Sequence, residues 1–272
     1  MSPKDWNDQL VAFHSAYPGV TSDLLAPLRT ADGETSYEML ARRIKASAPE
    51  ARDILDVGCG DGTLLACLAQ LYGRDVRLCG IDLSAAELAH ARARVPQAQL
   101  VRGDASSADM RENSYDVVTS HLAFMAMPAL RTVLQRAHRA LRDGGLLAFV
   151  IEDPLAGGAI FQLMGGAVAA ARERREAFAP ETPGREAVEH DDVLRELLRA
   201  AGFSTTSIER FTVRGKLSSA QLWQFVERSY PFGLLDSEFL GDVRAATRAQ
   251  RLAIADAPAP AAFSLRLIVA RT

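Results

Sequence analysis

The chain has 272 residues, 48% hydrophobic and 24% charged, an ordinary globular composition with room for one large domain and a substantial cap. Its net charge of −3 supplies no basic field, so no nucleic-acid partner is expected. No apolar run approaches a membrane span, and Met1-Ser2-Pro3-Lys4-Asp5-Trp6 lacks a leader-like apolar stretch, which together predict no membrane partner and a cytoplasmic location. Three cysteines without Cys-x-x-Cys spacing read as reduced thiols, and five scattered histidines offer no metal-ligand spacing.

Residues 1–48 read as an N-terminal helical cap segment. Leu10, Phe13 and Tyr17 share one face, Tyr37, Leu40 and Ile44 another, with breaks at Pro18-Gly19 and Ala31-Asp32-Gly33. Residues 49–154 then alternate strand and helix. Ile54, Leu55 and Val57 form an apolar run that ends in Gly58-Cys59-Gly60-Asp61-Gly62, and a helix follows at once with Leu64, Leu65, Leu68 and Leu71 on one face. Strand, glycine turn and helix N-terminus bring bare backbone and free N–H groups against a ligand. A second strand, Val76–Ile81, is followed by Asp82, 20 residues after Gly62, at the distance where an acid accepts hydrogen bonds from ribose hydroxyls. The alternative for Asp82 is the start of a turn before Ser84. Ser84 and Glu87 predict a capping box for the next helix. A further helix is expected over Leu130–Leu141, closed by Gly144-Gly145. Such alternation implies an α/β fold, a doubly wound Rossmann-like sheet, with ligands at the C-terminal rim of its strands.

A ribose-binding acid alone does not separate a nicotinamide cofactor from S-adenosylmethionine. Dinucleotide sites need Gly-x-Gly-x-x-Gly to admit a pyrophosphate. This turn is spaced Gly-x-Gly-x-Gly, and Asp56 just before it would repel a pyrophosphate but suit a cationic amine.

Asp56-Val57-Gly58-Cys59-Gly60-Asp61-Gly62-Thr63 is very similar to the first motif of the class I S-adenosylmethionine-dependent methyltransferases. Leu100–Ala105, Tyr115–Ser120 and Leu146–Ile151 resemble that family's third, fourth and fifth strands, and the look is that of its small-molecule branch, which includes quinone-biosynthesis and natural-product enzymes. The resemblance implies a mostly parallel seven-stranded sheet whose last two strands form a hairpin. It also implies S-adenosylmethionine as cofactor, with S-adenosylhomocysteine as product, and roles for particular residues. Gly58, Cys59 and Gly60 would approach the methionine part, with Asp56 near its amine and the backbone at Ser120 and His121 at its end. Asp82 would hold the ribose, Leu83 would pack on adenine, and Asp104 and Ala105 would meet its edge. Tyr37 is a candidate for the methionine carboxylate, with packing as its alternative. One departure is that this branch often carries a His pair past the fourth strand, where this chain has Met125-Ala126.

A base helps when the methyl acceptor is a phenol, enol or activated carbon. His121, at the end of the fourth strand, is the first candidate, and its alternative is a histidine that shapes the methionine pocket. His14 is the second, with an ordinary polar-face position as its alternative. Glu152 and Asp153 could orient substrate or simply make the turn at Pro154.

Residues 155–190 read as a cap insertion, with an Ala-rich helix over Gly157–Ala177 and a Pro-rich loop over Ala179–Gly184. Residues 191–272 read as the C-terminal part of the core: an Asp191-capped helix, strands over Phe203–Val213 and Phe263–Arg271, a helical cap insertion at about 215–260, and a linker at Ala257–Pro260. Phe124, Met125, Met127, Phe161, Met164, Trp223, Phe225, Tyr230 and Phe232 are the apolar candidates for a small-acceptor pocket, of which about a third would touch it. The function expected is O- or C-methylation of a small, partly aromatic or enolic metabolite. An NAD(P)-dependent oxidoreductase and a non-catalytic S-adenosylmethionine-binding protein are the alternatives, and a homo-oligomer stays open.

Overall fold

The computed structural model describes residues 3–174, 184–230, 232–233, 235–249 and 259–272. Asp53–Val57 (β1) is buried at every position. A strand reads that way only when helices cover both faces of its sheet. Its neighbours are Arg77–Asp82 (β2), Gln99–Arg102 (β3), Tyr115–His121 (β4) and Leu141–Glu152 (β5), and the hairpin Thr205–Leu217 (β6) and Ala259–Arg271 (β7) completes a seven-stranded sheet of order β3-β2-β1-β4-β5-β7-β6. The first five strands are parallel, and β7 runs antiparallel to both β5 and β6. The chain turns outward from β1 in one direction to β2 and β3, then in the other to β4. The C-terminal ends of β1 and β4 therefore flank the switch point where such sheets bind ligands.

Ser36–Ser47 (α3) and Thr63–Tyr72 (α4) share an apolar core on one face with Ala159–Arg174 (α7) and Ser219–Glu227 (α10); Leu130–Ala140 (α6) and Asp191–Ala200 (α9) share the core on the other. Pro3–Ala16 (α1) lies against Ala85–Arg94 (α5), and the short Val20–Leu25 (α2) against α10. Ser237–Ala249 (α11) packs on α7.

Several local expectations change. The hairpin is longer than predicted: β6 runs on to Leu217 and β7 begins at Ala259, so Ala259 and Pro260 are strand residues, not linker. Leu71 is 43% exposed although Leu64, Leu65 and Leu68 are buried. Gly144-Gly145 lies within β5, not at the end of α6, because the chain enters the strand directly at Leu141. Asp191 does not cap α9; His190 holds that position. The Asp191 carboxylate instead meets Arg266 and Arg210, each at 2.9 Å, because Arg266 is 1% exposed and a buried guanidinium needs a carboxylate partner. The capping box at Ser84 is half formed. Ser84 Oγ accepts from the Glu87 N–H at 3.3 Å, but the Glu87 carboxylate turns away to the cap. The segment 179–183, the end of the Gly157–Ala177 helix beyond Arg174, and Ala257-Pro258 lie outside the described residues.

Candidate functional site

Three adjoining cavities open along the C-terminal rim of the sheet. An outer cleft, a turn cavity and an apolar cavity hold about 810, 490 and 840 Å³, open mouths included. The turn cavity is made by the glycine turn. Gly58 has φ 73°, in the left-handed region, and a Cβ there would come within 2.4 Å of Ala123 Cβ, so only glycine lets β1 leave the sheet beside that loop. The turn is anchored to β2: the Gly58 and Cys59 N–H groups donate to Ile81 O at 2.8 and 3.0 Å. Asp82 ends β2 between the outer cleft and the turn cavity, and its two carboxylate oxygens accept from Gly60 N and Ser84 N, both at 2.8 Å.

Tyr37, Asp56, Gly58, Cys59, Gly60 and His121 line the turn cavity, and Leu83, Asp104 and Ala105 line the outer cleft. The residues named from sequence for the two ends of one cofactor therefore face two connected spaces. Ser120 lines neither; its hydroxyl donates to Val57 O at 2.8 Å and ties β4 to β1.

The turn cavity is acidic. Asp56 is 1% exposed and its Oδ1 has no hydrogen-bond partner among the described residues. Burial drives its pKa well above the usual carboxylate value, and the charges of Asp82 and Asp61 add to the rise. Burial also raises Asp82, partly offset by the Ser84 and Gly60 N–H groups. Asp61 behaves differently. Burial would raise it, but hydrogen bonds from Ser22, Arg94 and Thr63 outweigh that and hold it below the ordinary range. An unpartnered buried carboxyl among other carboxylates is an incomplete arrangement, and a cation completes it.

His121 is stacked on Tyr37, with ring centroids 3.7 Å apart and planes at 23°, and its Nε2 lies 2.9 Å from Ser36 Oγ. Burial lowers its pKa from 6.5 to about 3, and Nδ1 has no partner among the described residues. It is a neutral wall of the turn cavity and does not line the apolar cavity. Leu122, which follows it, has φ 55° and lines both cavities. A left-handed leucine is a strained turn with no sequence signature.

The N-terminal cap closes over the rim through polar contacts. Trp6 Nε1 donates to Ala126 O at 2.7 Å and Asn7 Nδ2 to Asp104 Oδ2 at 2.8 Å. His14 Nδ1 is 2.7 Å from Glu87 Oε1, and Gly19 N donates to both Glu87 oxygens at 3.0 Å. Sequence reasoning missed Glu87 as a site residue, because its spacing from Ser84 matched a helix cap. Tyr230 was named only as an apolar candidate for the acceptor pocket; its hydroxyl contact with His14 Nε2 was not foreseen.

The apolar cavity is lined by Leu24, Leu25, Leu122, Met125, Met164, Phe225 and Phe263, with Glu152, Arg185, Arg228 and Tyr230 among its polar groups. Burial raises the Glu152 carboxyl, with Arg185 opposing. Asp153 is not part of it, being paired with Arg210 at 3.0 Å. Of the nine apolar candidates, Met125, Met164, Phe225 and Tyr230 line this cavity and Met127 the outer cleft, while Phe124, Trp223 and Phe232 are each 1% exposed in the core. Among the described residues no cluster of three His, Cys, Asp or Glu could hold a metal, and no helix is long and apolar enough to cross a membrane.

A seven-stranded sheet of this order, with a glycine turn after its first strand and an acid at the end of its second, is a Rossmann-like methyltransferase fold. Residues 54–145 match the family model described as a methyltransferase domain. Among similar proteins, the trans-aconitate 2-methyltransferase of Variovorax paradoxus (strain S110) is 30% identical over 167 residues, 61% of this chain and 58% of that one. The demethylmenaquinone methyltransferase of Geobacillus stearothermophilus is 27% identical over 187 residues, 62% of this chain and 77% of that one. The crystal structure of the YcgJ protein from Bacillus subtilis superposes with a TM-score of 0.58 at 15% identity, over 86% of this chain and 97% of that one, a likeness of fold. The chain thus spans well under two thirds of the first of these relatives.

Proposed function

We propose that the protein is an S-adenosylmethionine-dependent methyltransferase acting on a small acceptor with an apolar, partly aromatic body, by O- or C-methylation. The observation that carries the reading is Asp56, a buried carboxyl with an unpartnered oxygen in the wall of the turn cavity. S-adenosylmethionine carries an ammonium and a sulfonium, and when bound it supplies a methyl group that is already activated. Asp56 would hold the ammonium, and Tyr37 would stand beside the amino-acid end. Asp82 would take the ribose hydroxyls, and Leu83, Asp104 and Ala105 the adenine. The same carboxylates oppose the paired phosphates of a nicotinamide dinucleotide.

The protein's own work is then to position and to exclude water. Proximity and orientation can remove about 7–11 kcal/mol of a barrier. The apolar cavity would seat the acceptor body between Met164, Phe225 and Phe263, and the exposed Arg185 with Arg228 would admit an anionic group. His121, held by Ser36 and Tyr37 inside the turn cavity, would shape the methionine end. His14, which lines the outer cleft and the turn cavity beside Asp82, would be the base on the reacting side.

The test is transfer of labelled methyl from S-adenosylmethionine to a panel of phenols, enolic keto acids and amines, followed by mass spectrometry. Label in a hydroxyl or enol acceptor is the expected result. Binding of the cofactor without transfer to any acceptor would favour a binding protein over an enzyme.

A further inference from the structure

We infer that Tyr230, His14 and Glu87 form a relay that takes the proton from the acceptor, which makes the acceptor a compound that must lose an O–H proton, a phenol, enol or alcohol. The inference rests on the methyl-transfer reading above.

Tyr230 is the only described residue that lines all three cavities, which places it where a donor group and an acceptor would meet. Its ring is fixed by edge-on contacts with Phe13 (centroids 4.9 Å apart, 69°) and Trp6 (5.9 Å, 78°). The hydroxyl lies 3.3 Å from His14 Nε2, and His14 Nδ1 lies 2.7 Å from Glu87 Oε1.

Hydrogen-bond bookkeeping sets the direction. Glu87 is 3% exposed and both its oxygens accept from Gly19 N; the relay takes the group as a carboxylate. His14 Nδ1 must then be the donor to Glu87, which leaves Nε2 of a neutral ring as an acceptor. Among the described residues the Tyr230 O–H is the donor given to that nitrogen, which leaves the phenol lone pairs free to accept. Burial, with Asp82, Glu152 and Glu87 adding, keeps the phenol protonated, as a relay member must be. A contact of 3.3 Å is long, and catalytic hydrogen bonds commonly tighten once substrate is present.

The step balances. The acceptor O–H bond breaks and leaves its electron pair on the acceptor oxygen, which becomes the nucleophile. Its proton joins the Tyr230 oxygen while the phenol proton passes to His14 Nε2. The resulting imidazolium is paired with Glu87. His121 stands outside this relay: its Nε2 is engaged by Ser36 and it does not line the apolar cavity.

Nitrogen-15 NMR of histidine-labelled protein saturated with S-adenosylhomocysteine tests the assignment without any acceptor. His14, assigned by loss of its signals in His14→Gln, is expected as the neutral Nδ1–H form. The Nε2–H form, or a cationic ring, would overturn the relay. In turnover, Tyr230→Phe is expected to lower kcat for 4-methylphenol about 100-fold or more, with S-adenosylhomocysteine affinity within about threefold of the wild type. 4-Nitrophenol, already ionised at mildly alkaline pH, should lose little. Equal losses for both phenols, or an unchanged kcat, would overturn the relay. If neither phenol is turned over, or if the variant does not fold, the NMR result on the wild type decides. Failure of the wild type to bind S-adenosylhomocysteine would remove the underlying methyl-transfer reading instead.

Discussion

The turn cavity and the apolar cavity share a boundary at Thr21, Leu122 and Tyr230, yet they are built in opposite ways. The first is dense in carboxylates, with Asp56, Asp61, Asp82 and Glu87 on its walls. The second is mostly aliphatic and aromatic, with one carboxyl and two guanidiniums. The difference teaches how labour is divided at this rim. On the proposed reading, the acidic cavity would be a charge-selective holder that a cationic ligand completes, and the apolar cavity would select by shape and by excluding water. Perturbing one should leave the other's ligand largely unaffected.

The largest expected effect is at Asp82, which holds the glycine turn through Gly60 N and would also hold the ribose. Asp82→Ala should weaken S-adenosylhomocysteine binding about 100-fold or more in titration calorimetry, since hydrogen bonds to a charged group contribute about 1.5–3 kcal/mol each. Unchanged affinity would break the assignment.

His121 comes next, read through acid stability. Its folded pKa of about 3 lies below the unfolded 6.5, so the unfolded chain binds the proton more tightly and stability falls as pH drops through that window. At about pH 5 the loss from this residue is about 2 kcal/mol. His121→Gln should flatten this acid limb in denaturant titrations, and should weaken cofactor binding more than turnover. An unchanged acid limb would show that the ring is not held neutral.

Asp56→Asn should weaken S-adenosylhomocysteine about tenfold, the loss of roughly one charged contact. It should also stabilise the ligand-free protein. Asp56 has a folded pKa above its ordinary value, so its contribution to stability declines as pH rises through that interval. An amide carries no such penalty, and the ligand-free melting temperature at about pH 8 should rise by about 2–4 °C. A fall in both affinity and melting temperature would mean that Asp56 is structural.

The smallest effect sharpens the comparison from the other side. Met164→Ala, in the apolar cavity, should raise the KM for a panel acceptor about fivefold, about 1 kcal/mol, while cofactor affinity stays within about twofold. A matching change in cofactor affinity would show that the two cavities are not separable.

The same contrast explains what could be read from the sequence. The acidic cavity and outer cleft draw on Asp56 to Gly60, Asp82, Leu83, Asp104 and Ala105, short segments set by a strand, a turn and the next strand end, where spacing translates into position. The parallel core was legible in the strand and helix alternation and the antiparallel hairpin through the family resemblance, although β6 and β7 extend four residues beyond their predicted limits at Val213 and Phe263. The apolar cavity draws on α2, Leu122, Glu152, Met164 and residues 225–230, which only tertiary packing brings together. Glu87 shows the limit most clearly. A local pattern, Ser84 with Glu87, was read as a closed cap, but the carboxylate bonds 68 residues away to Gly19. His121 was legible as a rim residue, whereas its stacking on Tyr37 was not.

The central claim is that the acidic turn cavity holds a cationic sulfur cofactor. Calorimetric titration of the wild-type protein tests it most directly, with S-adenosylmethionine in one experiment and reduced nicotinamide dinucleotide in another. Saturable binding of S-adenosylmethionine with a dissociation constant of about 1 μM to 1 mM, and no heat from the dinucleotide, is the predicted result. Silence toward S-adenosylmethionine at millimolar concentration, or preference for the dinucleotide, would contradict it.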